Sequence, residues 1–189
     1  EFFYKKDMAY TLKKYSENLR SITYHNQLGT QHDRALRVAS IMKFISKKLN
    51  VKNVTNFENL ALHAKADLLC LMVGEFPELQ GQVGAEYLRR EGTGDAICRA
   101  VEEHYAPISA DAPLPSTSLG ALLAVVDKLD TLVAAFAMGQ TPTGSKDPLG
   151  LRRAGLGLVR ILRHQNIPLA PRDAILQSLS IFSEQFPVK

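Results

Sequence analysis

The sequence predicts an all-α protein, a helical bundle in one domain. Three observations predict it. Apolar residues recur at helical spacing along most of the chain, and no stretch alternates convincingly as a half-buried strand does. Gly29, Pro77, Gly92, Gly94, Gly139, Pro168 and Pro171 punctuate the periodic segments. The length of 189 residues, with 46% hydrophobic and 22% charged, suits one domain with a substantial core. No internal repeat is visible.

The elements follow in order. Residues 4–28 read as a helix with Leu12, Tyr15, Leu19 and Ile22 on its apolar stripe, ended by Gly29. Thr30-Gln31-His32-Asp33 is a capping box, with Asp33 reaching back to a free amide. The helix it opens runs to about residue 49, carrying Leu36, Val38, Ile41, Phe44 and Ile45. A loop over Val51–Asn56 leads to a long helix over Glu58–Glu75, stopped by Pro77. Helices over Gln82–Arg90 and Asp95–His104 come next, and the proline-containing stretch Pro107–Ser118 is a loop. Leu119–Met138 reads as a buried helix with a polar notch at Asp127, Lys128 and Asp130. After a loop over Gly139–Lys146, Asp147 caps a helix with Pro148 at its first position, running to about His164. An amphipathic helix over Arg172–Phe186 follows.

No apolar run reaches the ~18 residues that a membrane span needs, so no membrane association is expected. No signal peptide is visible, and a chain opening at Glu1 is expected to be a piece of a longer one. Cys70 and Cys98 lack zinc-type spacing and read as reduced core thiols of an intracellular protein. The net charge of +4 is unevenly spread. Residues 1–52 hold eleven Lys or Arg against four acids, 53–145 five against twelve, and 146–189 seven against three. Such a dipolar surface can steer a polyanion; uneven solvated faces are the plainer alternative.

The helix from Asp147 carries the clearest physical signal. At ~100° per residue, with Arg152 set to zero, Arg163 falls near 20°, Arg160 near 80°, Arg153 near 100° and His164 near 120°. Leu151, Ala154, Leu158, Val159, Ile161 and Leu162 fall on the opposite side, between roughly 180° and 340°. No acid occurs between Pro148 and Pro171, whereas solvated helical faces usually mix signs. Arg suits bidentate phosphate contact. The stripe of Arg152, Arg153, Arg160 and Arg163, with Lys146 before it, is the candidate RNA-binding surface; a solvated basic face or a docking surface for an acidic partner is the alternative.

The preceding loop, Thr141-Pro142-Thr143-Gly144-Ser145-Lys146, lacks the spacing of a Walker loop and reads as a turn fixing how the chain enters the helix. No Ser–His–acid or Cys–His arrangement stands out, and no adenylation motif is visible. Aromatics are few, at 7% with no Trp, for stacking bases. No catalytic residue is assigned.

Two runs are unusual. Lys65-Ala66-Asp67-Leu68-Leu69-Cys70-Leu71-Met72-Val73-Gly74-Glu75-Phe76-Pro77-Glu78-Leu79-Gln80-Gly81-Gln82-Val83-Gly84 begins as a helix and ends in a turn, in an order that a stable core alone does not demand. Asp127-Lys128-Leu129-Asp130-Thr131-Leu132 is the second, leading into Pro142–Pro148 and Leu151-Arg152-Arg153. From about Phe2 to Leu169 the chain resembles the beta subunit of the bacterial-type, two-subunit glycyl-tRNA synthetase, and within it the region of HD-superfamily fold. The resemblance implies a tRNA-binding or architectural domain of a glycine–tRNA ligase, with tRNA(Gly) and the alpha subunit as partners. ATP and magnesium would serve the parent enzyme through the alpha subunit, with no cofactor held here. The setting implied is cytoplasmic or organellar, and the anticodon-binding region is expected to lie outside this chain.

HD hydrolases hold a divalent metal through an early His, a His-Asp dyad and a late Asp. Here Arg34 and Ala35 stand where the resemblance places the early His, the dyad reads Ala66-Asp67, and the late Asp is Asp127. The site is therefore read as degenerate and non-hydrolytic. His63 and Asp67 share a helix face, and His104 could approach Asp127; these are the weak metal candidates. The plainer reading is that Asp67 and Asp127 accept hydrogen bonds from backbone, Lys65, Lys128 or an Arg, because an unpaired buried charge is costly. The alternatives to a tRNA-binding role are an HD-type metal-dependent phosphohydrolase and a structural spacer between domains.

Overall fold

A computed structural model describes residues 1–48, 56–142, 147 and 149–186. Among these, ten α-helices and one two-stranded ribbon surround a core centred on a single helix. The elements are α1 (Phe2–Asp7), α2 (Leu12–Glu17), β1 (Thr23–His25), β2 (Gly29–Thr30), α3 (Gln31–Lys48), α4 (Phe57–Ala66), α5 (Leu71–Glu75), α6 (Gln82–Arg90), α7 (Asp95–Glu103), α8 (Ser118–Ala137), α9 (Leu151–His164) and α10 (Pro171–Gln185). The all-α expectation holds. The 51–55 part of the first predicted loop lies outside the described residues.

The first predicted helix is not one helix. It divides into α1, α2, a 3₁₀ turn at Leu19–Ser21 and the strand β1. Helical spacing misled here because Leu12 and Leu19 are both fully buried, each from a different short element. Asp7 ends α1. Its carboxylate is buried and accepts the amides of Leu71 (2.8 Å) and Met72 (3.0 Å) at the start of α5, and the Tyr87 hydroxyl at 3.1 Å. Thr11 then caps α2 by accepting the Lys14 amide. Strand β1 pairs antiparallel with β2, a ribbon that the sequence reading did not foresee. Gly29, at φ +74°, makes the reversal. The capping box at Thr30 forms as read: the Asp33 carboxylate accepts the Thr30 amide (2.8 Å), and the Thr30 hydroxyl accepts the Asp33 amide (3.2 Å).

The second long helix, read as Glu58–Glu75, is also broken. After α4 a 3₁₀ turn covers Asp67–Leu69, and Cys70 is extended (φ −78°, ψ 140°). The break has a side-chain cause. Asp67 is buried and turns its Oδ2 onto the amides of Gly81 (2.6 Å) and Gly84 (3.3 Å), capping α6 from a distance. Gly81 sits at φ +82°, where a side chain is strained. The order of the Asp67-to-Gly84 run is thus a local geometric requirement, not one that core packing sets alone.

Helix α8 is the axis of the bundle. It packs against α3, α7, α9 and α10, and its residues Ala121 to Val126 are nearly inaccessible to solvent. Helix α9 begins at Leu151, three residues later than read. Gly150 is its N-cap, in the left-handed conformation at φ +64°. Asp147 still serves the start, accepting the Leu151 (2.7 Å) and Arg152 (2.9 Å) amides. Pro148, read at the first helical position, lies outside the described residues. Cys70 and Cys98 are free and buried.

Candidate functional site: a cationic cleft on one side of α8

The polar notch of α8 is a buried ion network. Asp127 Oδ1 lies 3.0 Å from Arg34 Nη2 and 3.0 Å from Lys65 Nζ. Asp130 Oδ1 accepts Arg37 Nε at 2.9 Å, and its Oδ2 takes Arg34 Nε at 3.3 Å. Arg37 is fully buried; its Nη1 donates to Gln185 on α10, and its guanidinium lies by the Tyr24, Phe182 and Phe186 rings. The i, i+3 pair Arg34 and Arg37 on α3 therefore grips the i, i+3 pair Asp127 and Asp130 on α8. Four charges so buried require such mutual pairing.

His104 closes the network. Its Nδ1 is 2.6 Å from the Val101 carbonyl and so carries the proton, which leaves Nε2 to accept from Lys65 Nζ at 3.0 Å. Burial, and then the neighbouring Lys65, hold its pKa well below the ordinary imidazole value, so the ring is neutral. Burial pushes the Lys65 ammonium down to about 8, against the pull of Asp127. Burial alone would raise the Asp127 carboxyl, but Arg34 and Lys65 outweigh it and hold Asp127 well below the usual carboxylate range. Asp67, capping α6, is raised by burial despite its two amide donors.

Of these groups Arg34 and Asp127 reach a cleft of about 420 Å³, lined also by Glu78, Gln80, Tyr105, Thr131 and Arg153. Lys128 lies in its floor and donates to the carbonyls of Ala106 (2.7 Å) and Tyr105 (3.3 Å). Its partners are carbonyls rather than carboxylates, and burial brings its pKa to about 8. Helix α9 approaches closely at Gly157, where a Cβ would stand 2.9 Å from Lys128 Cε. The turn that ends the Lys65–Gly84 run divides in two: Leu79 packs on the core while Glu78 and Gln80 line the cleft.

The predicted arginine stripe separates. Arg152 and Arg163 are exposed, and Arg153 is exposed at the cleft mouth. Arg160 is committed elsewhere, donating to the Ser109 and Ala112 carbonyls at 3.2 Å each, and so fastens the loop before α8. Leu156, at 60% exposed, lies in sequence between Arg152 and Arg163, and Val159, read as part of the apolar stripe, is 59% exposed. Lys146 lies outside the described residues.

The HD positions do not assemble a metal site. Ala66 is buried and offers no ligand. Asp67 faces the α6 amides, and His63 on α4 is influenced by Lys13 of α2 rather than by the Asp127 network. Asp127, the remaining carboxylate, already holds two cations, and His104 faces an ammonium. A divalent ion there would have to displace two cations that each lie 3.0 Å from Asp127 Oδ1, or bear their repulsion. Among the described residues no group of three or more His, Cys, Asp or Glu could hold a metal ion. The residues present do not fit the metal of an HD hydrolase.

The family model for the glycyl-tRNA synthetase beta subunit matches residues 1–188. The chain belongs to the glycyl-tRNA synthetase beta-subunit family. It is 41% identical over 185 residues to a glycine–tRNA ligase beta subunit of Thiobacillus denitrificans, covering 97% of this chain and 26% of that protein. A beta subunit of Dechloromonas aromatica is 44% identical over 179 residues, covering 94% and 25%. One from Lactiplantibacillus plantarum is 40% identical over 183 residues, covering 93% and 26%. The chain thus spans about a quarter of the length of the curated relatives it matches. No helix among the described residues of this beta-subunit segment is long and apolar enough to cross a membrane.

The sequence reading did not assign Arg37 or the floor position of Lys128. A signal for the first exists: Arg34 and Arg37 interrupt, at i, i+3, a helix whose neighbours Val38, Ile41 and Ile45 are apolar, as do Asp127 and Asp130 in the most apolar helix of the chain.

Proposed function

We propose that this chain is a tRNA-holding, non-catalytic part of a cytoplasmic glycine–tRNA ligase, one helical domain of HD descent in which cations have replaced the metal. The parent ligase would use ATP and magnesium at its alpha subunit, and this domain would help to place tRNA(Gly) for that subunit. The observation that carries the reading is the pairing of Asp127 with Arg34 and Lys65 beside a cleft whose mouth carries Arg153. An HD metal draws phosphate oxygens through positive charge; here the Arg34 guanidinium and the Lys128 ammonium in the cleft supply positive charge without a hydrolytic metal. Arg152 and Arg163 extend the positive surface along α9, where no acid stands between residues 149 and 170 to oppose it. Arg160 anchors the loop and is not assigned a phosphate.

The test is tRNA binding by the full beta subunit with its partner, measured against salt. Arg152→Ala with Arg153→Ala should reduce the log–log salt slope by up to about 2 units, roughly equally for tRNAs of different sequence, because phosphate contacts position rather than specify. Wild-type affinity and slope in the double variant would remove α9 from the interface.

A further inference from the structure

Helix α9, one edge of which lines the cleft, and α10 both pack on α8 but, among the described residues, make no extended contact with each other. Between them lies a groove of about 460 Å³. Its floor is Leu129, Leu132, Val133 and Phe136 of α8, and its banks are Leu158 of α9 and Ile175 and Leu179 of α10. Phe136 is 53% exposed, Ile175 45% and Leu176 54%, and Val159 adds 59% on α9. Large apolar side chains open to water on three adjacent helices exceed what a monomer scatters singly over its surface.

Helix α10 shows that this is an extra face. Its residues Ala174, Ser178 and Phe182, at i, i+4, i+8 spacing, are buried in the bundle. Ile175 and Leu176, both exposed, form with the half-buried Leu179 a second apolar edge beside that one, of which only Leu179 packs on the core. Two helices lying on a third and held apart leave a seat of helical shape, since packed helices sit roughly 8–10 Å axis to axis. Arg152 and Arg163 of α9 and Arg172 of α10, the two helices that bank the groove, are all exposed.

We propose that this groove seats an amphipathic helix with acidic flanks, supplied by the remainder of the same beta-subunit polypeptide. Two observations select that occupant. In the relatives about three quarters of the polypeptide lies outside the span matched here, so a tethered partner is present at high effective concentration. The exposed arginines of the two flanking helices complement an acidic-flanked helix and disfavour a second copy of this face, which would set like charges together. The inference rests on family membership and not on the tRNA-holding reading; its experiment contains no RNA.

A photo-crosslinking residue at position 176 of a full-length beta subunit tests it, with exposed position 13 as the control. The expected product is a crosslink within one polypeptide, mapping by mass spectrometry to a helix outside residues 1–189 that carries flanking Asp or Glu. Leu176→Glu should in addition accelerate limited proteolysis at that helix by about tenfold, as its docked population falls. A crosslink to a second beta subunit or to the alpha subunit overturns the proposal. So does a crosslinking yield at 176 no higher than at 13, or a protease rate that Leu176→Glu leaves unchanged.

Discussion

Helix α8 carries two unlike surfaces. Towards α3, α4 and the turn after α7 it offers Asp127, Lys128, Asp130 and Thr131, each tied to a named partner. Towards α9 and α10 it offers Leu132, Val133 and Phe136, which line an open groove. Each surface is unusual for the opposite reason. On the first side charge is buried and therefore must be paired within the chain. On the second, apolar surface is left uncovered within the chain. Buried ions fix one geometry because each depends on its counter-ion, whereas an apolar bank accepts any shape that covers it. The cleft wall is finished inside this chain, whereas the groove, on the proposal above, is completed from outside it.

The largest test of this contrast is Asp130→Ala. It leaves Arg37, fully buried, without its carboxylate and removes a partner of Arg34. Urea denaturation should show a loss of about 3–5 kcal/mol. A loss under about 1 kcal/mol would mean that water reaches Arg37, and the cleft wall would then be no more fixed than the groove.

A smaller effect separates the two sides by pH. Lys65 releases its proton near 8 in the folded chain and near ~10.4 when unfolded. Between these values the unfolded state binds more protons, so stability rises with pH from about 8 towards 10, and below 8 the burial cost of the ammonium is felt in full. Lys128 acts in the same direction. Lys65→Met should therefore flatten the rise in urea midpoint across this window by about half. An unaltered slope would show that Lys65 is solvated and not held against Asp127 and His104. The smallest effect belongs to the groove. Leu176→Ser, at a position 54% exposed, should change the stability of this domain by no more than about 0.5 kcal/mol. A loss several times larger would show that the groove is closed within the domain.

The sequence by itself determined the helical class, the break at Pro77, the Thr30–Asp33 cap and the extent of α6, α7 and α8, because each depends on residues within one turn of one another. It also marked Asp67 and Asp127 as groups needing partners, since burial of a carboxylate in an apolar run carries that requirement wherever the partner lies. Only the tertiary structure decided who the partners are. Asp7 ends α1 because amides 64 and 65 residues away need an acceptor, and α4 stops because Asp67 reaches Gly81 and Gly84; neither break is visible in a periodicity that Leu12 and Leu19 satisfy either way. Arg160 looked equivalent to Arg152 on the helical wheel and became a loop anchor because the carbonyls of Ser109 and Ala112 come within reach. Val159 lay on the apolar side of the same wheel and remains exposed, because a wheel records the direction of a side chain but not whether a neighbouring helix stands there to cover it.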